Sequence, residues 1–121
     1  MDYIFDNDRP IYIQLVELIK IEIISGRLKM GEKIPSVREF AISAKVNPNT
    51  VQKALAELER DELIITQRTN GKFVTTNEEI IKKYKNQIIA EKVNHFVNDM
   101  LRLGINAKEI TNYLEHRESE D

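Results

Sequence analysis

The chain has 121 residues, 41% hydrophobic and 31% charged, which suits one folded domain with its own core plus a small appendage and is too apolar for disorder. With no cysteine, a disulfide scaffold and a thiolate zinc site are excluded, and no apolar run approaches the roughly 18 residues of a membrane span. Met1-Asp2-Tyr3 lacks the basic start of a signal peptide, so a soluble cytoplasmic protein without membrane contact is expected.

The net charge of −2 argues neither for nor against a nucleic-acid partner. Charge is spread unevenly, because residues 33–76 hold seven Lys/Arg against five Asp/Glu, whereas 77–121 hold seven against nine. Binding DNA requires a local basic face that displaces counterions. An imbalance this small does not decide the matter.

In chain order, residues 1–8 read as an extended arm, with Tyr3, Ile4 and Phe5 too apolar for a free tail. Asp8 and Pro10 mark a helix start. Tyr12, Leu15, Val16, Ile19 and Ile23 then form one apolar stripe, with Gln14, Glu17, Lys20 and Glu22 on the wetter side. Gly26 closes this helix in a left-handed conformation, and Leu28 is expected to pack inward from the connection that follows.

Ile34 to Glu59 is the segment around which the chain is organised. Ser36 and Glu39 form a capping box, so a short helix begins after Pro35 and ends near Ala44. Lys45-Val46 connects it to a second helix with Asn47 as N-cap and Pro48 at its first position, where the missing N–H costs nothing. Val51, Leu55 and Leu58 recur at helical spacing, while Asn49, Thr50, Gln52 and Lys53 lie mostly on the other side. Small Ala41 sits where the helices would cross, which is the sequence form of a helix-turn-helix.

Residues 63–67 read as a strand, Arg68-Thr69-Asn70-Gly71 as a tight turn and residues 72–75 as the return strand. A hairpin directly after a recognition helix is a wing, with Arg68, Asn70 and Lys72 near its tip. Thr76 and Glu79 suggest a capping box opening a helix of about 27 residues, uninterrupted until Gly104. Asn106 and Glu109 cap a last helix carrying Ile110, Tyr113 and Leu114, and residues 115–121 are expected to fray. The fold expected is mainly α with a small β-hairpin: a winged helix-turn-helix domain at 1–76 and a two-helix dimerisation segment at 77–121.

The dimer argument rests on the long helix. Ile81, Tyr84 and Ile88 line one stripe, and Ile89, Val93, Phe96, Met100 and Leu103 continue at 4-3-4-3 spacing, with Ile110 and Leu114 from the last helix. One short helix cannot cover so wide a face, and each such side chain left in water forfeits roughly 1.5–3 kcal/mol. A two-fold homodimer is the default solution, and it would read two half-sites on double-stranded DNA.

The run from Gly26 to Ala41 (GRLKMGEKIPSVREFA), with Val46 to Val51, Ala54-Leu55, Leu58-Glu59 and Asn70 to Val74, resembles the signature of GntR-type bacterial transcription regulators. The Asn-Pro-Asn-Thr opening and short helical tail look most like the YtrA subfamily. That resemblance implies that Arg38 reaches a guanine edge with Ser36 near a phosphate. It also implies that Asn47, Asn49, Thr50 and Gln52 meet DNA from the second helix, and that Asn70 and Gly71 do so from the wing. It further implies control of a transporter operon, most simply by repression; relatives with large ligand-binding domains are excluded by length, so any effector would sit at the dimer interface or between tail and winged domain. Lys45 and Glu62 stand where relatives often have Gly, Pro48 where many have Arg, and Thr69 replaces a usual wing glycine.

Other readings compete with these. Arg38 has Glu39 and Glu59 as possible ion-pair partners. Glu91, His95 and Asp99 share a helix face, but three such groups without a second histidine make a weak metal site, and a solvated face is the simpler reading. No cofactor is expected, and nothing resembles a nucleophile with its base or a phosphate loop, so an enzyme is not expected. The stronger rival is a winged helix serving protein–protein contacts.

Overall fold

The computed structural model describes residues 3–117, in the order α1 (Ile11–Ile24), α2 (Val37–Ala44), α3 (Pro48–Arg60), β1 (Ile64–Gln67), β2 (Gly71–Val74), α4 (Glu78–Arg102) and α5 (Ala107–His116). It divides into two compact units, one ending at Lys85 and the other beginning at Asn86.

In the first unit, Leu15, Ile19 and Ile23 of α1 pack with Phe40 of α2, Val51, Leu55 and Leu58 of α3, and Leu63, Ile64 and Val74 around the hairpin. All are buried to within a few per cent, so these apolar side chains gain most of the free energy available from leaving water. Leu28 packs against this core from the connection, as its position in the sequence suggested. Gly26 ends α1 at φ +83°.

Gln14 departs from the expectation that it faces water, being only 4% exposed. Its carboxamide oxygen accepts the Asp6 N–H at 2.6 Å, and its Nε2 donates to the carbonyls of Asp6 at 3.0 Å and Arg9 at 2.9 Å. The side chain thereby satisfies backbone groups of the N-terminal arm, and Tyr3 and Phe5 of that arm pack on the core.

The hairpin pairs Ile64 with Val74 through to Gln67 with Gly71 in antiparallel register. The Gln67 carbonyl accepts the Asn70 N–H at 3.1 Å, and within the turn only Gly71 has a positive φ, at +105°. A third partner, absent from the sequence reading, lies along the other side of β2. Gly31 N–H donates to Val74 O, Val74 N–H to Glu32 O and Ile34 N–H to Lys72 O, so β2 is hydrogen-bonded on both sides. The segment was missed because Gly31 to Ile34 is too short to show an alternating pattern.

Asn77, not Thr76, caps α4. Its carboxamide oxygen accepts from the N–H groups of Glu79 and Ile80 at 3.0 and 3.4 Å. The opening turns of α4 belong to the winged unit, because Ile80, Ile81 and Tyr84 pack against its core. Ile81 and Tyr84, expected on a dimer face, thus place part of their apolar surface against the core of their own chain. Tyr84 also lies beneath Lys20 Nζ, 4.9 Å from its ring centroid, and Lys20 pairs with Asp61 at 3.4 Å. Burial, then the carboxylates of Asp61 and Glu62, push the Tyr84 phenol above its ordinary pKa.

In the second unit, Gly104 at φ +82° turns the chain and Asn106 with Glu109 forms a reciprocal capping box opening α5. Ile110 is buried and shares a groove with Phe96, Met100, Ile105, Tyr113 and Leu114. It therefore packs inside the unit, a correction to its placement on a partner-facing surface. No residue of α4 is fully buried; Ile89 is 49% and Val93 51% exposed. Glu115 and His116 continue α5 instead of fraying, while residues 118–121 lie outside the described region.

Candidate nucleic-acid interface

Ser36 and Glu39 satisfy each other's backbone N–H groups at 3.2 Å, which fixes the start of α2. Asn47 Oδ1 accepts the Asn49 N–H at 2.8 Å and fixes the start of α3, with Pro48 at its first position. Between the helices Lys45 adopts φ 57°, ψ 46°, the left-handed conformation that favours glycine. Asn49, Gln52 and Lys53 are exposed along the outer side of α3, and Thr50 is half-buried. Lys53 Nζ rests 3.8 Å from the centroid of the Tyr12 ring, which steers its charge toward the start of α1.

Ser36 and the wing tip come together. Lys33, Pro35, Ser36, Thr69, Asn70 and Gly71 border one groove of about 410 Å³. At Gly71 a Cβ would lie 3.1 Å from Lys33 Cε, so the glycine both permits the positive φ and admits the lysine stem. Lys33 borders this groove although sequence reasoning did not single it out; its one signal was a positive charge three positions before a helix cap.

The ion pairs resolve the ambiguity left by net charge. Glu57 pairs with Arg60 at 2.7 Å, Asp61 with Lys20, and Glu59 with Lys72. Among the described residues, Lys33, Arg38, Lys45, Lys53 and Arg68 form no ion pair. Most of the carboxylates in this segment are thus matched or capping, and five cations on the lead into α2, α2, α3, their connection and the wing are left uncompensated.

Arg38 is exposed and pairs with neither of its two candidate partners, since Glu39 serves the cap and Glu59 is bound elsewhere. Lys72 is set back from the tip, opposite Thr66 in the ladder, and held by Glu59 and the Thr66 hydroxyl. Burial pushes the Glu59 carboxyl up, but donations from Lys72 and Thr66, together with the lysine charge, outweigh it and hold its pKa below the ordinary value. Arg68 and Asn70 occupy the turn itself, where Asn70 Nδ2 donates to Gln67 Oε1 at 3.4 Å.

In the second unit, His95 Nδ1 lies 3.3 Å from Asp99, which also faces Arg102 at 3.6 Å. Among the described residues, no group of three or more His, Cys, Asp or Glu is arranged to hold a metal ion. No helix among them is long and apolar enough to cross a membrane.

Two capped helices crossing on α1, followed by a hairpin stitched to the lead into α2, make a winged helix-turn-helix, a DNA-binding architecture. Residues 11–74 match the family described as "Bacterial regulatory proteins, gntR family". The chain is 38% identical over 110 residues to the uncharacterized HTH-type transcriptional regulator YhcF of Bacillus subtilis, covering 91% of each. It is 34% identical over 109 residues to the HTH-type transcriptional repressor YtrA of the same organism, covering 89% of this chain and 84% of that one. A GntR family transcriptional regulator from Listeria monocytogenes superposes with a TM-score of 0.87 at 40% identity, over 94% of this chain and all of that one. The chain belongs to the GntR family and is a DNA-binding transcriptional regulator of the short YhcF/YtrA type, not an enzyme.

Proposed function

We propose that the chain is a repressor that binds a two-fold symmetric operator as a homodimer, acting on DNA in the bacterial cytoplasm. The observation that carries this reading is the set of five uncompensated cations bordering α2, α3 and the wing. In this reading Arg38 takes a guanine edge in the major groove, since guanidinium donors match its O6 and N7. Asn47, Asn49, Thr50 and Gln52 supply base and phosphate contacts from the start of α3, with Lys53 beside them. Ser36, Arg68, Asn70 and Gly71 hold the backbone, joined by Lys33. Lys72 acts mainly through its pair with Glu59, as a brace for the hairpin.

Winged residues up to Lys85 read DNA, and the helices from Asn86 join two copies. Ile88, Ile89, Val93, Phe96, Met100, Leu103 and Leu114 supply the apolar contact between them. Support comes from the exposure of Ile89 and Val93 on a helix with no buried position. The resemblance to YtrA-type regulators extends the proposal to control of a transporter operon.

A gel shift with DNA from upstream of the protein's own gene tests the reading. Binding should weaken steeply with salt, and Arg38→Ala should cost about 1–3 kcal/mol per half-site and relax preference at one base of each. Binding that ignores both salt and Arg38→Ala would favour a protein-contact role for the winged unit.

A further inference from the structure

The outer side of α2 holds an anomaly. Phe40, Ala41 and Ala44 supply its buried side, whereas Ile42 is 69% exposed one helical turn after Arg38. Arg38, Ile42, Val46 and Pro48 border one open groove of about 470 Å³. An unpaired guanidinium therefore shares a recess with three apolar side chains from α2, the connection and the first position of α3. Pro48 has neither an N–H nor a polar side-chain atom, so it offers a base edge only apolar contact.

We infer that Ile42 and Pro48 form an apolar notch that receives the 5-methyl group of a thymine close to the guanine read by Arg38. This deepens the proposed DNA reading and rests on it. Thymine is the base that presents a methyl group in the major groove, on the same side as the guanine O6 and N7. Four residues of helix advance about 6 Å at 1.5 Å per residue. Successive bases on a strand are separated by about 3.4 Å. The thymine accordingly lies within about two base pairs of the guanine. Hydrogen bonds then select the guanine, and exclusion of water from one methyl group selects its neighbour. Continuity with Arg38 favours DNA over a protein as the occupant.

The test begins by selecting duplexes from a random library with the full chain, then replacing each thymine of the enriched site by deoxyuridine, which removes only the methyl group. For the wild type, one replacement near the guanine should weaken binding about fourfold, the value of one buried methyl. In Ile42→Ala, a change at an exposed position, the same replacement should matter by less than about 1.5-fold, because the two changes remove one shared contact. Indifference of the wild type to deoxyuridine at every position overturns the inference, and so does an undiminished effect in Ile42→Ala. Failure of the wider reading looks different: no duplex is enriched, and both proposals fall.

Discussion

Lys45 occupies a conformation that a lysine should avoid. At φ 57°, ψ 46° its Cβ crowds the following carbonyl, at a cost of about 1–2 kcal/mol relative to glycine. Lys45→Gly relieves that strain but loosens the unfolded chain, which returns roughly 0.5–1 kcal/mol. The net expectation is a gain of about 0.5–1 kcal/mol, or a rise of about 2–4 °C in Tm for a chain of this size. Glu62 also has a positive φ, at 63°, and its replacement by Gly should act in the same direction. The two variants diverge in DNA binding. Lys45 is one of the uncompensated cations beside α3, so its loss from both protomers of the proposed dimer should reduce the slope of log K against log salt by about 1.8, or about 0.9 for each phosphate contact. Glu62→Gly removes a carboxylate and should leave that slope unchanged. Stability is best followed by far-UV circular dichroism in urea, since the chain has no tryptophan. Binding can be followed by anisotropy of a labelled operator between about 50 and 200 mM salt. A destabilised Lys45→Gly would refute the strain argument, and an equal fall in slope for both variants would refute the electrostatic one.

Glu59 has a folded-state pKa below its ordinary value of 4.5, so its pair with Lys72 stabilises the fold above that pH and is lost as pH falls through the lower, folded value. Glu59→Gln should therefore flatten the acid limb of a stability–pH profile, with little further change in slope between neutral pH and 5. Gln14→Leu leaves the backbone groups of Asp6 and Arg9 without partners and should cost about 1–3 kcal/mol. Rapid hydrogen exchange at the Asp6 amide would report it, and unchanged protection there would contradict the tie. Truncation after Lys85 should give a folded monomer by sedimentation. Truncation after Thr76 should be less stable by roughly 3 kcal/mol, because the partial burial of Ile80, Ile81 and Tyr84 is lost. Equal stability of the two fragments would refute the assignment of those turns to the winged unit.

The starts of α2, α3 and α5 were legible because their signals are local. Ser36 with Glu39, Asn47 with Pro48, and Asn106 with Glu109 each specify a helix start within four residues. The apolar rows through Leu15, Ile19 and Ile23, and through Val51, Leu55 and Leu58, fix the buried sides by period alone. What stayed hidden depends on pairing between distant segments. Gln14 reads as a surface residue until the arm it holds is placed beside it. Ile81 and Tyr84 share an apolar row with Ile88, and no spacing rule says where along one helix the neighbour changes from the winged core to something else. For the site, residue types were readable but their availability was not. Arg38 and Lys72 look equivalent as cations, and only the location of Glu59 separates a free guanidinium from a matched ammonium.

The short segment from Gly31 to Ile34 has a further consequence. Because it is hydrogen-bonded along β2, the wing and the approach to α2 cannot change their separation without breaking backbone hydrogen bonds. The groove between Ser36 and the wing tip is therefore shaped before any phosphate arrives, and the conformational entropy of ordering those loops was lost when the domain folded. A regulator so constructed forfeits less freedom on meeting each stretch of DNA, operator or not. Discrimination is left to the few side chains that reach the base edges.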